Sequence, residues 1–298
     1  MSALDWNRDA RDWPQRADSR FIATPGLEWR VAIAGDGPAI LLLHGTGASA
    51  HSWRGVIPRL AEHFTVIAPD LPGHGFTRGR PTGGLSLPGI AAVLEALLTA
   101  LNFNPALVAG HSAGAAIALE LARRRGPSVP AVGFNPALMP FPGLAARLFP
   151  ALAKMLFVNP FAPRVFARMA RMPGETERFL RRSTGSRIDA EGVRLYATLL
   201  GNARHCEGVL GMMASWDLAA LAARLPDIAN PVLLVHGRLD SAIPLASVEH
   251  ACALLPVCTL EVAEQFGHLA HEEDPGMAAD HIRAFAARHR FIRQGEPA

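Results

Sequence analysis

The chain has 298 residues, 50% of them hydrophobic and 18% charged, a balance that supports a sizeable core and argues against disorder. The net charge of +3 is almost wholly arginine, with Lys154 the only lysine, and no zinc finger, aromatic platform or basic helix in register accompanies it, which speaks against nucleic-acid binding. Three cysteines (Cys206, Cys252 and Cys258) without a C-x-x-C predict a reducing, cytoplasmic setting and no disulfide framework, and no stretch reads as a secretory signal or a membrane span.

Residues 1–24 carry charges of both signs and read as an N-terminal extension. "EWRVAIAG" at 28–35 alternates weakly before the turn "GDGP" and predicts an edge strand. The apolar runs 39–45, 64–70, 106–110, 131–135, 231–237 and 258–263 predict strands buried on both faces, as in a parallel sheet. Helical stretches fall between them at about 52–62, 87–101, 113–125, 245–254 and 275–289. Strands alternating with helices predict an α/β fold, a mostly parallel doubly wound sheet. Residues 136–215 break the rhythm and read as a helical cap inserted after the sixth strand, which leaves 25–135 and 216–298 as the core.

The stretch "ALVAGHSAGAAIAL" at 106–119 places Ser112 in a G-x-S-x-G between a strand and a helix. A plain Gly turn would account for it, and so would a strained elbow that exposes a serine hydroxyl above the sheet. A serine nucleophile needs a base, and the base needs an orienting acid; the elbow expects them in the order Ser, acid, His. Asp240 in "VHGRLD" and His268 in "FGHLAHEEDP" supply that order, each on a loop past a predicted strand. Asp240 could instead cap the helix that follows, His268 could be a surface histidine like His271, His281 and His289, and Asp70 is a rival acid that precedes the serine. The N–H groups of Thr46, in "LLLHGTG", and of Ala113, directly after the serine, are the candidate oxyanion donors. His44, Gly45, Gly47, His111, Asn135, Met155 and Met212 are candidates to line the substrate pocket. No metal or organic cofactor is expected, because the twelve histidines form no recognised ligand spacing.

On "LLLHGTG", "APDLPGHG", "GHSAG", "HGRLD" and "FGHLAHEEDP" the chain resembles the α/β-hydrolase superfamily over about residues 25–290. Serine at 112 sets it apart from the dehalogenase, epoxide hydrolase and dienelactone hydrolase patterns. "LDWNRDARDWPQRADSRF", "LLLHGTGASAHSWRG" and "VIAPDLPGHGFT" further resemble the α/β-hydrolase-fold proteins of bacteriochlorophyll synthesis called magnesium-chelatase accessory proteins. That resemblance implies a photosynthetic bacterium and a tetrapyrrole pathway; the expected partners are a small-molecule apolar ester or tetrapyrrole substrate and magnesium-chelatase subunits. The expected activity is hydrolysis of a carboxylic ester by a Ser-His-Asp triad; the alternative is a non-catalytic accessory protein that binds a porphyrin or the chelatase. The predicted cap carries eleven cations against five acids, mixed with Phe, Met and Leu. Solvated arginines over an apolar core-facing side, a basic-rimmed tetrapyrrole pocket, and peripheral contact with an anionic membrane are its three readings.

Overall fold

The computed structural model describes residues 3–140, 155 and 159–289. Among them nine strands form one sheet: β1 (Ser19–Thr24), β2 (Leu27–Ala34), β3 (Ala39–Leu43), β4 (Thr65–Pro69), the two-residue β5 (Arg78–Gly79), β6 (Leu107–His111), β7 (Ala131–Phe134), β8 (Val232–Gly237) and β9 (Cys258–Ala263). Their order is β1-β2-β4-β3-β6-β7-β8-β9, with β5 paired to β2. The ladders from β4 through β9 are parallel, and those of β1, β4 and β5 with β2 are antiparallel.

Alternation along the strands divides the core in two. Leu41, Leu43, Ile67 and Val108 pack against α3 (Leu87–Ala100), α4 (Ala113–Arg125) and α10 (Leu245–Leu254). Ile40, Leu42, Val66, Ala109 and Phe134 face the other way, against α2 (Val56–Ala61) and α12 (Pro275–Arg288). Each such fully buried Leu or Ile contributes about 1.5–3 kcal/mol, so the near-continuous apolar runs are what a sheet covered on both faces requires. Helix starts are chemically marked: the Ser86 hydroxyl accepts from the Gly89 N–H, and the Asp274 carboxylate accepts from the Met277 N–H ahead of Pro275.

Four expectations are corrected. The 28–35 strand is not an edge: Ser19–Thr24 forms β1 beside it, so the last residues of the expected N-terminal extension belong to the sheet. Their mixed polarity hid them, because an exposed edge strand has no face that must be apolar. The opposite edge, β9, is only partly buried rather than covered on both faces. The cysteines are not all free: Cys252, near the end of α10, and Cys258, opening β9, have Cα atoms 5.5 Å apart and form a disulfide, while Cys206 is free and buried. The tight return between helix and strand brings them together, a tertiary fact their spacing did not carry. His271 is buried, stacked 4.3 Å from the His111 ring and 4.5 Å from Trp53.

Between β7, the sixth strand of four or more residues, and β8 lies a helical insertion: α5 (Ala162–Ala170), α6 (Glu175–Thr184), α7 (Ala190–Leu200), α8 (Ala203–Ala214) and the short α9 (Leu218–Ala222). Two of the eleven cations counted in the predicted cap, Arg147 and Lys154, lie outside the described residues. The N-terminal segment holds this insertion to the core, because Leu4, Ala10 and Trp13 share a cluster with Phe76, Leu195 and Leu199. Below it, Tyr196 donates to Glu272 Oε1 (2.7 Å), and Arg54 reaches both Glu272 Oε2 (2.6 Å) and Asp189 Oδ1 (2.7 Å). Burial pushes the Glu272 carboxyl up to about 7 against the attraction of Arg54. Helix α8 meets the core backbone to backbone: a Cβ on Gly208 would fall 1.8 Å from the Gly73 carbonyl oxygen. Gly208→Val is therefore expected to destabilise the protein by about 1–3 kcal/mol, the cost of overpacking. A thermal melt at the wild-type temperature would show that α8 does not rest on Gly73.

Candidate active site

Ser112, Asn135, Asp240 and His268 stand past the C-terminal ends of four successive parallel strands, β6 to β9. Ser112 has φ 52° and ψ −117°, outside the regions an L-residue favours. The strained peptide is braced: the Ser112 N–H donates to the Phe134 carbonyl (3.0 Å), and the Ser112 carbonyl accepts from Ala115 (3.1 Å) and Ala137 (3.2 Å). The two flanking glycines permit close approach of backbones. A Cβ at Gly110 would lie 2.2 Å from the Gly114 oxygen, and one at Gly114 would lie 2.3 Å from the Leu43 oxygen. Gly45 faces the serine, since its Cβ would come within 3.1 Å of the Ser112 Cβ. The loop after β3 thus lies against the turn after β6.

His268 Nδ1 is 2.7 Å from Asp240 Oδ2. The same oxygen accepts from Asn135 Nδ2 (2.8 Å), while Asp240 Oδ1 accepts from the N–H groups of Ala242 (2.7 Å) and Ile243 (2.9 Å). One oxygen thus braces the backbone of its own turn and the other faces His268 and Asn135, and Asp240 is not the helix cap. The turn it braces precedes α10, which has Pro244 as its N-cap residue. Burial opposes ionisation of Asp240, but the hydrogen bond and attraction of His268, with the Ile243 and Asn135 donors, outweigh it and hold the carboxyl below its ordinary range.

The rival groups are occupied elsewhere. Asp70 is buried, and its carboxylate accepts from the N–H groups of Ala50 and Phe76 (both 2.9 Å) and faces buried Arg30 at 3.4 Å. It ties the "APDLPGHGFT" loop to the 50–53 turn. Both nitrogens of His271 lack hydrogen-bond partners among the described residues, and burial drives its pKa well down.

Three expected pocket residues prove to be scaffold. Buried His44 contacts the Gly45 carbonyl through Nδ1 (2.8 Å) and accepts the Leu71 N–H through Nε2 (2.8 Å). His111 Nε2 donates to the His268 carbonyl (2.8 Å), and burial lowers its pKa to about 3. Asn135, buried and with φ 45°, donates to Asp240 and to the Gly267 carbonyl (3.1 Å). Its role was missed because an asparagine after a strand reads as pocket lining, and only the fold brings Asp240 to it. Met155 is exposed to solvent. Met212 is fully buried, with its Sδ 3.5 Å from Thr46 Oγ1. The N–H groups of Thr46 and Ala113 have no hydrogen-bond partner among the described residues, and Ala113 opens α4, where the helix dipole favours negative charge. Among the described residues no cluster of His, Cys, Asp or Glu is arranged to hold a metal ion.

The helical insertion touches both halves of this constellation. The His268 N–H donates to the Thr184 carbonyl and the Leu269 N–H to the Ser186 hydroxyl, each at 2.8 Å. On the other side the His205 ring bridges the Gly47 carbonyl and the Gly75 N–H, each at 3.1 Å, and burial lowers its pKa to about 3, so it is neutral. With Nδ1 accepting from Gly75, Nε2 carries the proton and donates to Gly47. A cavity of about 380 Å³ lies farther out, between α5 and α6, with Leu200 and Cys206 in its lining; none of the expected pocket residues lines it.

This fold and this strand-end site define a class. Residues 38–275 match the alpha/beta hydrolase fold family, and the chain belongs to that family. A magnesium-chelatase 30 kDa subunit of Rhodobacter capsulatus is 41% identical over 263 residues, 88% of this chain and 92% of that one. A pimeloyl-[acyl-carrier protein] methyl ester esterase of Aromatoleum aromaticum is 32% identical over 257 residues, 80% and 94% of the two chains. An esterase of Thermogutta terrifontis shares the fold with a TM-score of 0.72 at 22% identity, over 91% of this chain and 98% of that one.

Asn135→Ala removes one of the two side-chain donors to Asp240 Oδ2, leaving only His268, and takes the Asn135 donor from the Gly267 carbonyl. It is expected to cost about 1–3 kcal/mol. An unchanged denaturation midpoint would show that these bonds carry no stability.

Proposed function

We propose that this protein is a serine hydrolase that cleaves a carboxylic ester, with Ser112, His268 and Asp240 as its triad. The observation that carries the reading is the strained Ser112 past β6 together with a hydrogen-bonded His268–Asp240 pair past β9 and β8, at the same edge of the parallel sheet. His268 takes the Ser112 hydroxyl proton as Oγ attacks the ester carbonyl. Asp240 holds the imidazole with Nδ1–H turned inward and stabilises the imidazolium. The oxyanion is received by the Thr46 and Ala113 N–H groups, each such donor worth about 3 kcal/mol. The imidazolium then protonates the departing alcohol, leaving an acyl-Ser112; water attacks it with His268 again as base and releases the acid. Residues 136–215 act as the cap over this site, and its stitching to the His268 loop and the Gly47 loop suits a roof that also sets the geometry below.

The name of the Rhodobacter relative supports a tetrapyrrole ester as substrate and a role in bacteriochlorophyll synthesis. The same name favours a second reading, a non-catalytic accessory protein that binds a porphyrin or a magnesium-chelatase subunit.

A fluorophosphonate probe is expected to label the wild type and not Ser112→Ala, with turnover of p-nitrophenyl butyrate lost in step. Asp240→Asn is expected to lower kcat by about 10⁴. Folded wild type that neither labels nor turns over any ester, yet shifts the absorbance of an added porphyrin, would replace the hydrolase with the accessory reading.

A further inference from the structure

The outer surface of the insertion inverts the ordinary arrangement of a surface helix. On α5 the small residues Ala162, Pro163 and Ala167 face the protein, while Val165, Phe166 and Met169 face solvent. Of the ten large hydrophobic side chains exposed among the described residues, seven lie between Met155 and Phe179. Phe161 is 66% exposed and Phe179 57%, and it is their grouping in one stretch that marks the surface, since hydrophobic residues scattered singly are ordinary. The cavity of about 380 Å³ opens within this patch, rimmed by Phe166, Met169 and Phe179.

The patch carries more cations than acids: Arg164, Arg168, Arg171, Arg178, Arg181 and Arg182 against Glu175 and Glu177. Some arginines elsewhere are paired, as Arg123 and Arg124 with Glu120, Arg194 with Glu191, and Arg238 with Glu264. Here Arg168, Arg181 and Arg182 make no ion pair among the described residues, and only Arg178 pairs, with Glu175 at 2.7 Å. From Pro136 to Gly174 the sequence contains no acidic residue. Arginine and large apolar side chains alternate directly along the chain: Arg164 with Val165 and Phe166, Arg168 with Met169, Arg171 with Met172, Arg178 with Phe179.

From these observations we infer that the outer face of α5 and α6 docks on an anionic lipid bilayer, its Phe, Met and Val side chains entering the headgroup–acyl boundary and its arginines meeting lipid phosphates. A protein interface gathers its apolar residues at a centre depleted of charge. Interleaved apolar and cationic side chains instead suit a boundary where hydrocarbon and phosphate lie within a few ångströms of each other. The cavity gives one acyl chain a place beside that boundary. No helix among the described residues is long and apolar enough to cross a membrane, so the contact is peripheral. The inference does not depend on the serine chemistry, and Ser112→Ala should bind as the wild type does.

The test is flotation of the full chain with vesicles of phosphatidylcholine alone and of equimolar phosphatidylcholine and phosphatidylglycerol. The wild type is expected to float only with the mixed vesicles and to be released by high salt. Phe166→Ser/Met169→Ser and Arg164→Gln/Arg168→Gln should each weaken binding by about tenfold or more. Their thermal melts should match the wild type, since the replaced side chains are already exposed. Wild type that stays in solution with mixed vesicles at low salt overturns the proposal, and so does binding that neither pair weakens. A dimer in solution that Phe166→Ser/Met169→Ser dissociates would assign the face to a second copy instead.

Discussion

The Asp240 carboxylate is the interaction on which the site depends. It is almost fully enclosed, and a buried carboxylate is tolerated only when its lone pairs are filled. Two are filled by the backbone of its own turn, at Ala242 and Ile243, and two by side chains from other strand ends, Asn135 and His268. One group therefore shapes the loop after β8, ties it to the loop after β7, and sets which nitrogen of His268 faces inward. The parallel sheet makes this possible, because it delivers all of these loops to the same edge.

Around that carboxylate the histidines have two different fates. Those enclosed in the scaffold, His44, His111, His205 and His271, are held neutral by burial, and all but His271 use the ring as a hydrogen-bond bridge or tie between loops. His268 alone among them has a carboxylate on one ring nitrogen. A ring held by backbone groups ties loops together, whereas a carboxylate on Nδ1 fixes the tautomer and turns Nε2 outward.

The insertion is more than a cover. It contributes the Thr184 carbonyl and Ser186 hydroxyl to the His268 loop and the His205 ring to the Gly47 loop, and the N-terminal tryptophan segment locks it from behind. Any movement of these helices as one body would break bonds on both sides of Ser112. The outward side of the same helices carries unpaired arginines among exposed aromatics, so one element holds the site together on its inner face and meets its surroundings on its outer face.

The sequence by itself determined the sheet's interior, because strands covered on both faces must be continuously apolar, and α4, α10 and β9 fall on the boundaries that their runs and turn residues predict. It also determined the candidates Ser112, Asp240 and His268, since a serine between two glycines past a strand, with an acid and a histidine in order past later strands, is a local pattern repeated at strand ends. Tertiary structure alone decided the rest. Edge strand β1 is polar enough to look like a loop until it finds β2. The Cys252–Cys258 bond needs the chain reversal between α10 and β9. Asn135 gains its role only when Asp240, 105 residues later, arrives beside it. Hydrophobic periodicity is written along the chain, whereas hydrogen-bond partners across loops exist only once the sheet has brought the strand ends together.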